Sequence, residues 1–274
     1  MTNSVALALG GGGARGLAHI AALEAFDEMG VKPTALSGTS IGAIFAAAYC
    51  AGMSGKAIHQ YVIAMAKNRT RFVRRLIGAR ARMLPNLLAG FRAATLLDAE
   101  KLCAKFLPEG LPQTFEELYI PLTVVASDLY GRKEAAFSSG PLLPALAASI
   151  AIPGLMRPMR VNGRILVDGG ATNPLPFEYL RGRADIVAAV DISGVPPAGR
   201  TELPNPWECI YASVLVMSHA ITAEKLKWTQ PDLLIQPGVG AFRVLDFHRA
   251  NAILRAAEPT KAEIKQRLGA LLGH

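Results

Sequence analysis

The 274-residue chain is 51% hydrophobic and only 18% charged, so it can bury a sizeable core, and disorder over most of its length is excluded. That length fits one large domain or at most two small ones. The net charge of +8 is localised: Lys67, Arg69, Arg71, Arg74, Arg75, Arg80, Arg82 and Arg92 fall between Tyr61 and Leu97 with no acid among them, and elsewhere the charges cancel.

Ser4 to Leu9 is a short apolar run that ends in four glycines, and it predicts a strand buried on both faces followed by a turn. Leu17 to Met29 carries Leu17, Ile20, Ala21, Leu23 and Phe26 at helical spacing and stops at Gly30. Thr34 to Thr39 is a second strand. Ile41 to Met53, small and apolar on every side, is a buried helix. Further strands are predicted at Leu122 to Ser127, Arg164 to Val167, Ile186 to Ile192 and Leu233 to Gln236. Helices fit at Asp98 to Phe106, Leu142 to Ile150, Trp207 to Trp228 and, in pieces, Val244 to Leu272. This alternation implies an α/β sheet covered on both faces. The Pro/Gly-rich piece from Gly194 to Pro206 reads as a long surface loop.

Two stretches, Pro33 to Gly55 and Ala135 to Met156, lack charge altogether. Gly, Ser and Pro stand in them where a spanning helix would carry Leu, Ile and Val, so each reads as a buried strand or loop followed by a buried helix. Cys50, Cys103 and Cys209 are widely spaced and form no CxxC or Cys/His cluster. They predict buried thiols in a reducing compartment, with neither a disulfide framework nor a metal site. The first residues lack a basic n-region and do not read as a signal peptide. The expected location is therefore cytoplasmic, with a peripheral place at the inner membrane face left open.

Three motifs carry chemistry. Gly10 to Gly16 follows a strand and opens a helix, where bare N–H groups and the helix dipole favour negative charge. Such a turn cradles a phosphate or stabilises an oxyanion. Gly11, Gly13 and Gly16 satisfy G-x-G-x-x-G, but a dinucleotide site also needs an acid ending the second strand, and that strand ends in Gly38-Thr39-Ser40. The second motif, Gly38-Thr39-Ser40-Ile41-Gly42, is G-x-S-x-G between a strand and a buried helix. A sharp turn there lifts the Ser40 hydroxyl above the sheet.

A serine nucleophile needs a base. None of His19, His59, His219, His248 and His274 stands after a final strand as a triad histidine would. Asp168 ends a strand and is followed by Gly169 and Gly170. Alone it reads as a turn residue. Beside the other motifs it reads as a carboxylate that takes the Ser40 proton directly.

Together, Gly11-Gly12-Gly13-Ala14-Arg15, the elbow at Ser40 and Asp168-Gly169-Gly170 resemble the patatin-like phospholipase family. A fourth block, Ala148-Ser149-Ile150-Ala151-Ile152-Pro153-Gly154, looks like the family's segment before its aspartate. Order and spacing agree from about Val5 to Pro176. The resemblance implies a patatin-type three-layer α/β/α fold with a mostly parallel central sheet, in one catalytic domain over residues 1–274. It also implies a Ser40–Asp168 dyad without histidine, metal or cofactor, acting on lipid acyl esters. The N–H groups of Gly11, Gly12 and Gly13, aided by Arg15, would hold the oxyanion.

In the stretch 67–97, Phe72, Val73, Leu76, Ile77, Met83, Leu84, Leu87, Leu88 and Phe91 interleave with arginines. The favoured reading is a lid or rim that touches an anionic membrane through Arg71, Arg74, Arg75, Arg80 and Arg82. An ordinary solvated helix pair is the plainer alternative. Nucleic-acid binding is disfavoured, since no recognition module accompanies the charge. For the whole chain, the competing reading is a weak or inactive regulatory module that binds a nucleotide or acyl carrier at the glycine turn. The identity of the lipid and the oligomeric state are not encoded in any motif.

Overall fold

The computed structural model describes residues 3–68, 96–194, 203 and 206–273. Most of the basic stretch 67–97, with the five arginines expected to touch a membrane, and most of the expected loop from Gly194 to Pro206 lie outside the described residues.

An eight-stranded sheet organises the chain: β1 (Val5–Leu9), β2 (Leu36–Thr39), β3 (Leu122–Asp128), β4 (Lys133–Phe137), β5 (Met159–Val161), β6 (Arg164–Asp168), β7 (Ile186–Val190) and β8 (Leu233–Ile235). Its hydrogen-bonded path runs β5-β6-β3-β2-β1-β7-β8, with β4 added on β3. The five strands from β3 to β8 along this path are parallel, and β4, β5 and β6 join antiparallel. The five residues of β1 are all buried, as a strand paired on both edges and covered on both faces requires.

Helices cover the sheet: α1 (His19–Glu28), α2 (Ile41–Cys50), α3 (Gly55–Asn68), α4 (Ala99–Phe106), α5 (Leu142–Ser149), α6 (Pro206–Trp228), α7 (Ala250–Ala257) and α8 (Pro259–Leu272). The main core, with Phe26, Leu36, Phe45 and Leu146, lies on one face of the sheet, and a smaller cluster around Phe177, Leu175 and Leu180 lies on the other. This is the three-layer arrangement expected, with a mostly parallel central sheet. Asp98 caps α4 by accepting from the Lys101 N–H at 3.0 Å.

Three elements have no counterpart in the sequence reading: α3, β4 and β5. β4 starts on the charged pair Lys133-Glu134, and β5 is only three residues long. Cys50 and Cys103 are buried as expected, but Cys209 is exposed. It sits on the outer side of α6, away from the buried Ser218 and Thr222. Among the described residues no helix is long and apolar enough to cross a membrane, and no three His, Cys, Asp or Glu side chains gather as a metal site.

Strand registers position the site. Val124 and Val125 pair with β2 on one edge and β4 on the other, while Ala126 to Asp128 pair with β4 and β6. β2 and β6 therefore share one edge of β3, running toward each other. β2 ends with Thr39 opposite Val125, and β6 ends with Asp168 opposite Ala126. Two strands meeting end to end bring the residue after Thr39 face to face with Asp168.

Candidate active site

Ser40 stands between β2 and α2 with φ 55 and ψ −125, a conformation that L-residues rarely adopt and that costs about 1–3 kcal/mol. The sharp turn needs small neighbours. A Cβ on Gly42 would lie 2.2 Å from the Leu9 carbonyl oxygen, and one on Gly38 would lie 2.6 Å from the Ala43 Cα. Both obstacles are backbone, so neither position accepts a side chain without moving the elbow.

The Ser40 hydroxyl donates to Asp168 Oδ2 at 2.6 Å. The other oxygen, Oδ1, accepts from the Gly170 N–H at 2.8 Å. Burial pushes the Asp168 carboxyl up to about 6, against the opposing pull of the Ser40 and Gly170 hydrogen bonds. It is ionised at neutral pH, yet is a stronger base than an ordinary aspartate.

Residues outside the motifs' chemistry hold this pair. The Ser149 hydroxyl accepts the Ser40 N–H at 2.8 Å and donates to the Val125 carbonyl at 2.6 Å, tying the elbow to β3. Ser127 donates to the Asp168 carbonyl at 2.8 Å, and Thr39 donates to the Asn173 carbonyl at 2.7 Å. Ser218 of α6 donates to the Gly170 carbonyl at 2.8 Å. Ser149 lies inside the fourth sequence block, so its position was marked but its role was not. Ser149→Ala leaves a buried N–H without a partner, and the expected loss is about 1–3 kcal/mol of stability in a denaturant titration.

The glycine turn differs in part from its expected role. The Gly11 N–H donates to the Pro174 carbonyl at 2.9 Å, and the Ala14 N–H to the Val244 carbonyl at 2.7 Å. Among the described residues nothing engages the N–H groups of Gly12 and Gly13. Those two amides, not that of Gly11, are left for an anion. A Cβ on Gly11 would meet Ser40 Cβ at 3.4 Å, an ordinary contact, so closeness to Ser40 does not by itself demand glycine there.

Arg15 is not in the hole. Its buried guanidinium donates to the Phe242 carbonyl at 2.7 Å and to the Ser193 carbonyl. It clamps the turn to two distant loops, a task set by carbonyls that no local motif reveals. His19 is fully buried with Nε2 2.8 Å from the Gly10 carbonyl, and burial lowers its pKa to about 4. It is a neutral prop for the turn, out of reach as a base. His59 pairs with Glu24 at 2.8 Å, in a cluster with Lys261.

Ser40 and Gly13 open onto one cavity of about 190 Å³. Ile44, Phe45, Met65, Leu102, Phe106 and Met156 line it, and Ser40 lies at its wall. Such a space accepts an apolar chain, and none of the described residues that line it is charged.

Known proteins are similar to this chain in sequence and fold. A family model for patatin-like phospholipase matches residues 7–181. An uncharacterized NTE family protein of Mycobacterium tuberculosis is 40% identical over 192 residues, covering 69% of this chain and 49% of the relative, so the match spans about half the relative's length. Patatin-like phospholipase domain-containing protein 6 of Homo sapiens is 29% identical over 277 residues, 92% of this chain and 19% of that protein. VipD from Legionella pneumophila shares the fold with a TM-score of 0.51 at 14% identity, covering 96% of this chain and 67% of that one. Human GIVD cytosolic phospholipase A2 shares it with a TM-score of 0.51 at 14% identity, covering 100% of this chain and 60% of that one. The family model spans more than half of the sequence and covers all three motifs that the fold brings together, and the chain belongs to the patatin-like phospholipase family.

Proposed function

We propose that this chain hydrolyses carboxylic esters of lipids, phospholipid or lysophospholipid, through a Ser40–Asp168 dyad and an acyl-enzyme. The observation that carries the reading is the 2.6 Å hydrogen bond from the Ser40 hydroxyl to Asp168 at the wall of an apolar cavity. Ser40 Oγ attacks the ester carbonyl carbon as its proton passes to Asp168 Oδ2. The charge that develops on the carbonyl oxygen meets the free N–H groups of Gly12 and Gly13 at the mouth of the helical segment that follows. Collapse breaks the ester bond, and Asp168 returns the proton to the departing alcohol. Asp168 then deprotonates a water, which attacks the acyl carbon; the bond to Ser40 Oγ breaks as Asp168 returns the proton to that oxygen, and the fatty acid leaves. One carboxylate serves both half-reactions; His19 is buried beneath the glycine turn and His59 is paired with Glu24, so neither is placed to replace it.

The cavity favours an acyl chain as the recognised part, which supports lipid esters over small polar esters. The free amides of the glycine turn are too few for a dinucleotide cradle, and Gly11 is already bonded. A panel of lysophospholipid, diacyl phospholipid and acylglycerol tests the reading by fatty-acid release. The expected result is turnover well above the uncatalysed rate on at least one of them. Absence of release from every lipid and from a short-chain ester would remove the enzyme reading.

A further inference from the structure

Four consecutive carbonyls, from Asn173 to Pro176, each accept a hydrogen bond from elsewhere in the fold. The Asn173 carbonyl accepts from the Thr39 hydroxyl at 2.7 Å, and the Pro174 carbonyl from the Gly11 N–H at 2.9 Å. The Leu175 carbonyl accepts from Lys225 Nζ at 3.1 Å, and the Pro176 carbonyl from the Ser37 hydroxyl at 2.8 Å. The Asn173 N–H donates in turn to the Gly169 carbonyl at 2.8 Å, directly after the base. One short loop therefore holds the glycine turn, the end of β2 before Ser40 and the segment after Asp168.

Lys225 of α6 fastens that loop. Its ammonium donates to Asn173 Oδ1, to the Leu175 carbonyl and, at 2.8 Å, to both Glu178 oxygens. It also lies 5.3 Å from the centre of the buried Phe177 ring. Asn173 is 1% exposed, and its amide donates to Glu134 Oε2 at 2.6 Å and to Glu178 Oε1. Every polar atom of the Asn173 side chain is thus claimed, by two carboxylates and the ammonium. An ion pair alone would cancel the charge of Glu178 and leave the loop's oxygens without a donor. Here the same ammonium also serves an amide oxygen and a backbone carbonyl, which fixes where the chain runs. Asn173, Glu178 and Lys225 take no part in the cavity lining, whose apolar walls belong to the main core on the other face of the sheet.

We propose that Lys225 is a positioning residue for the reaction at Ser40: by clamping Asn173 and the Leu175 carbonyl, it keeps the glycine turn, the nucleophile elbow and the base in mutual register. This inference rests on the lipid-ester reading above. Without the ammonium the loop is free to shift. Pro174 then carries the Gly11 amide with it, and so the free amides of Gly12 and Gly13. Asn173 carries Thr39, and so Ser40. A misplacement of about 1 Å among reacting groups lowers a rate roughly 100-fold. The acyl cavity, built on the other face, is left as it was, so binding of the acyl chain is spared.

The test compares the full chain with Lys225→Met and with Lys225→Met/Glu178→Gln, on lysophosphatidylcholine and on p-nitrophenyl butyrate, with a melting profile for each. Methionine keeps an apolar stem beside Phe177 and removes the donor. The second change removes the carboxylate charge left without its cation, and so separates stability from alignment. Expected in both variants is a fall in kcat of roughly 10- to 100-fold with KM within about threefold, even where the double variant melts as wild type does. Amide hydrogen exchange gives a readout independent of turnover. The N–H groups of Gly11 and Asn173, bonded to the Pro174 and Gly169 carbonyls, should lose protection in both variants while those of β7 keep theirs. An unchanged kcat, a rise in KM alone, or a kcat that recovers together with the melting temperature in the double variant would overturn the proposal. If wild type cleaves neither substrate, the ester reading fails. Protection at Gly11 and Asn173 then decides by itself whether Lys225 holds the loop, and unchanged protection at both would overturn that role.

Discussion

Asp168→Asn is expected to lower ester hydrolysis roughly 10²–10⁴-fold while making the fold more stable. The amide keeps the size of the carboxylate but cannot take a proton. Its oxygen is claimed by the Gly170 N–H, which bonds Asp168 Oδ1 at 2.8 Å. The NH₂ group then faces Ser40, where the hydroxyl formerly donated to Oδ2. The nucleophile is left beside a donor with no base.

The stability gain follows from the raised carboxyl. In the unfolded chain an aspartate ionises near 3.9, and in the fold Asp168 does so at about 6. Between these values the native state holds the proton more tightly than the unfolded state, so stability falls as pH rises through this window. Above about 6 the destabilisation is complete, of order 1–3 kcal/mol. The asparagine variant escapes it, so its melting temperature should exceed that of wild type at pH 7 and converge with it near pH 4. A variant less stable than wild type at pH 7 would mean that the charged carboxylate is a net support of the fold.

Ser40→Ala and Ser40→Gly should both lose lipid hydrolysis by roughly 10⁴-fold or more, but they should differ in stability. Alanine keeps the strained φ of 55, whereas glycine adopts it freely. The release of strain, about 1–3 kcal/mol, is offset in part by glycine's greater freedom when unfolded, about 0.5–1 kcal/mol. Ser40→Gly should therefore exceed Ser40→Ala by about 1 kcal/mol in a denaturant titration. Equal stabilities would show that the elbow holds no strain at this residue.

Much of this site was legible in the sequence because its chemistry demands particular residue types at strand ends. Ser40 between Gly38 and Gly42, and Asp168 before two glycines, are local patterns, and each stands at the end of a short strand, Leu36–Thr39 and Arg164–Asp168. What was not legible depends on groups distant in sequence. The Gly11 amide is taken by Pro174, and Arg15 is drawn away from the hole by the carbonyls of Ser193 and Phe242. Ser149 reads as one more small residue in an apolar helix until the Ser40 N–H is seen above it. β4 and β5 are short and polar, stabilised by neighbours already in place. Cys209 looked like a core thiol because the stretch around it is apolar; only the packing of α6 shows that this side faces outward.

The central claim is that Asp168 alone activates Ser40. It is tested most directly by the rate at which a fluorophosphonate labels Ser40, followed against pH in wild type and in Asp168→Asn. The wild-type rate should rise about tenfold per pH unit up to about 6 and level off above it, while the asparagine variant stays slow throughout. Labelling of Asp168→Asn at the wild-type rate, or a wild-type profile that turns near 7 and vanishes when a histidine is replaced, would contradict it.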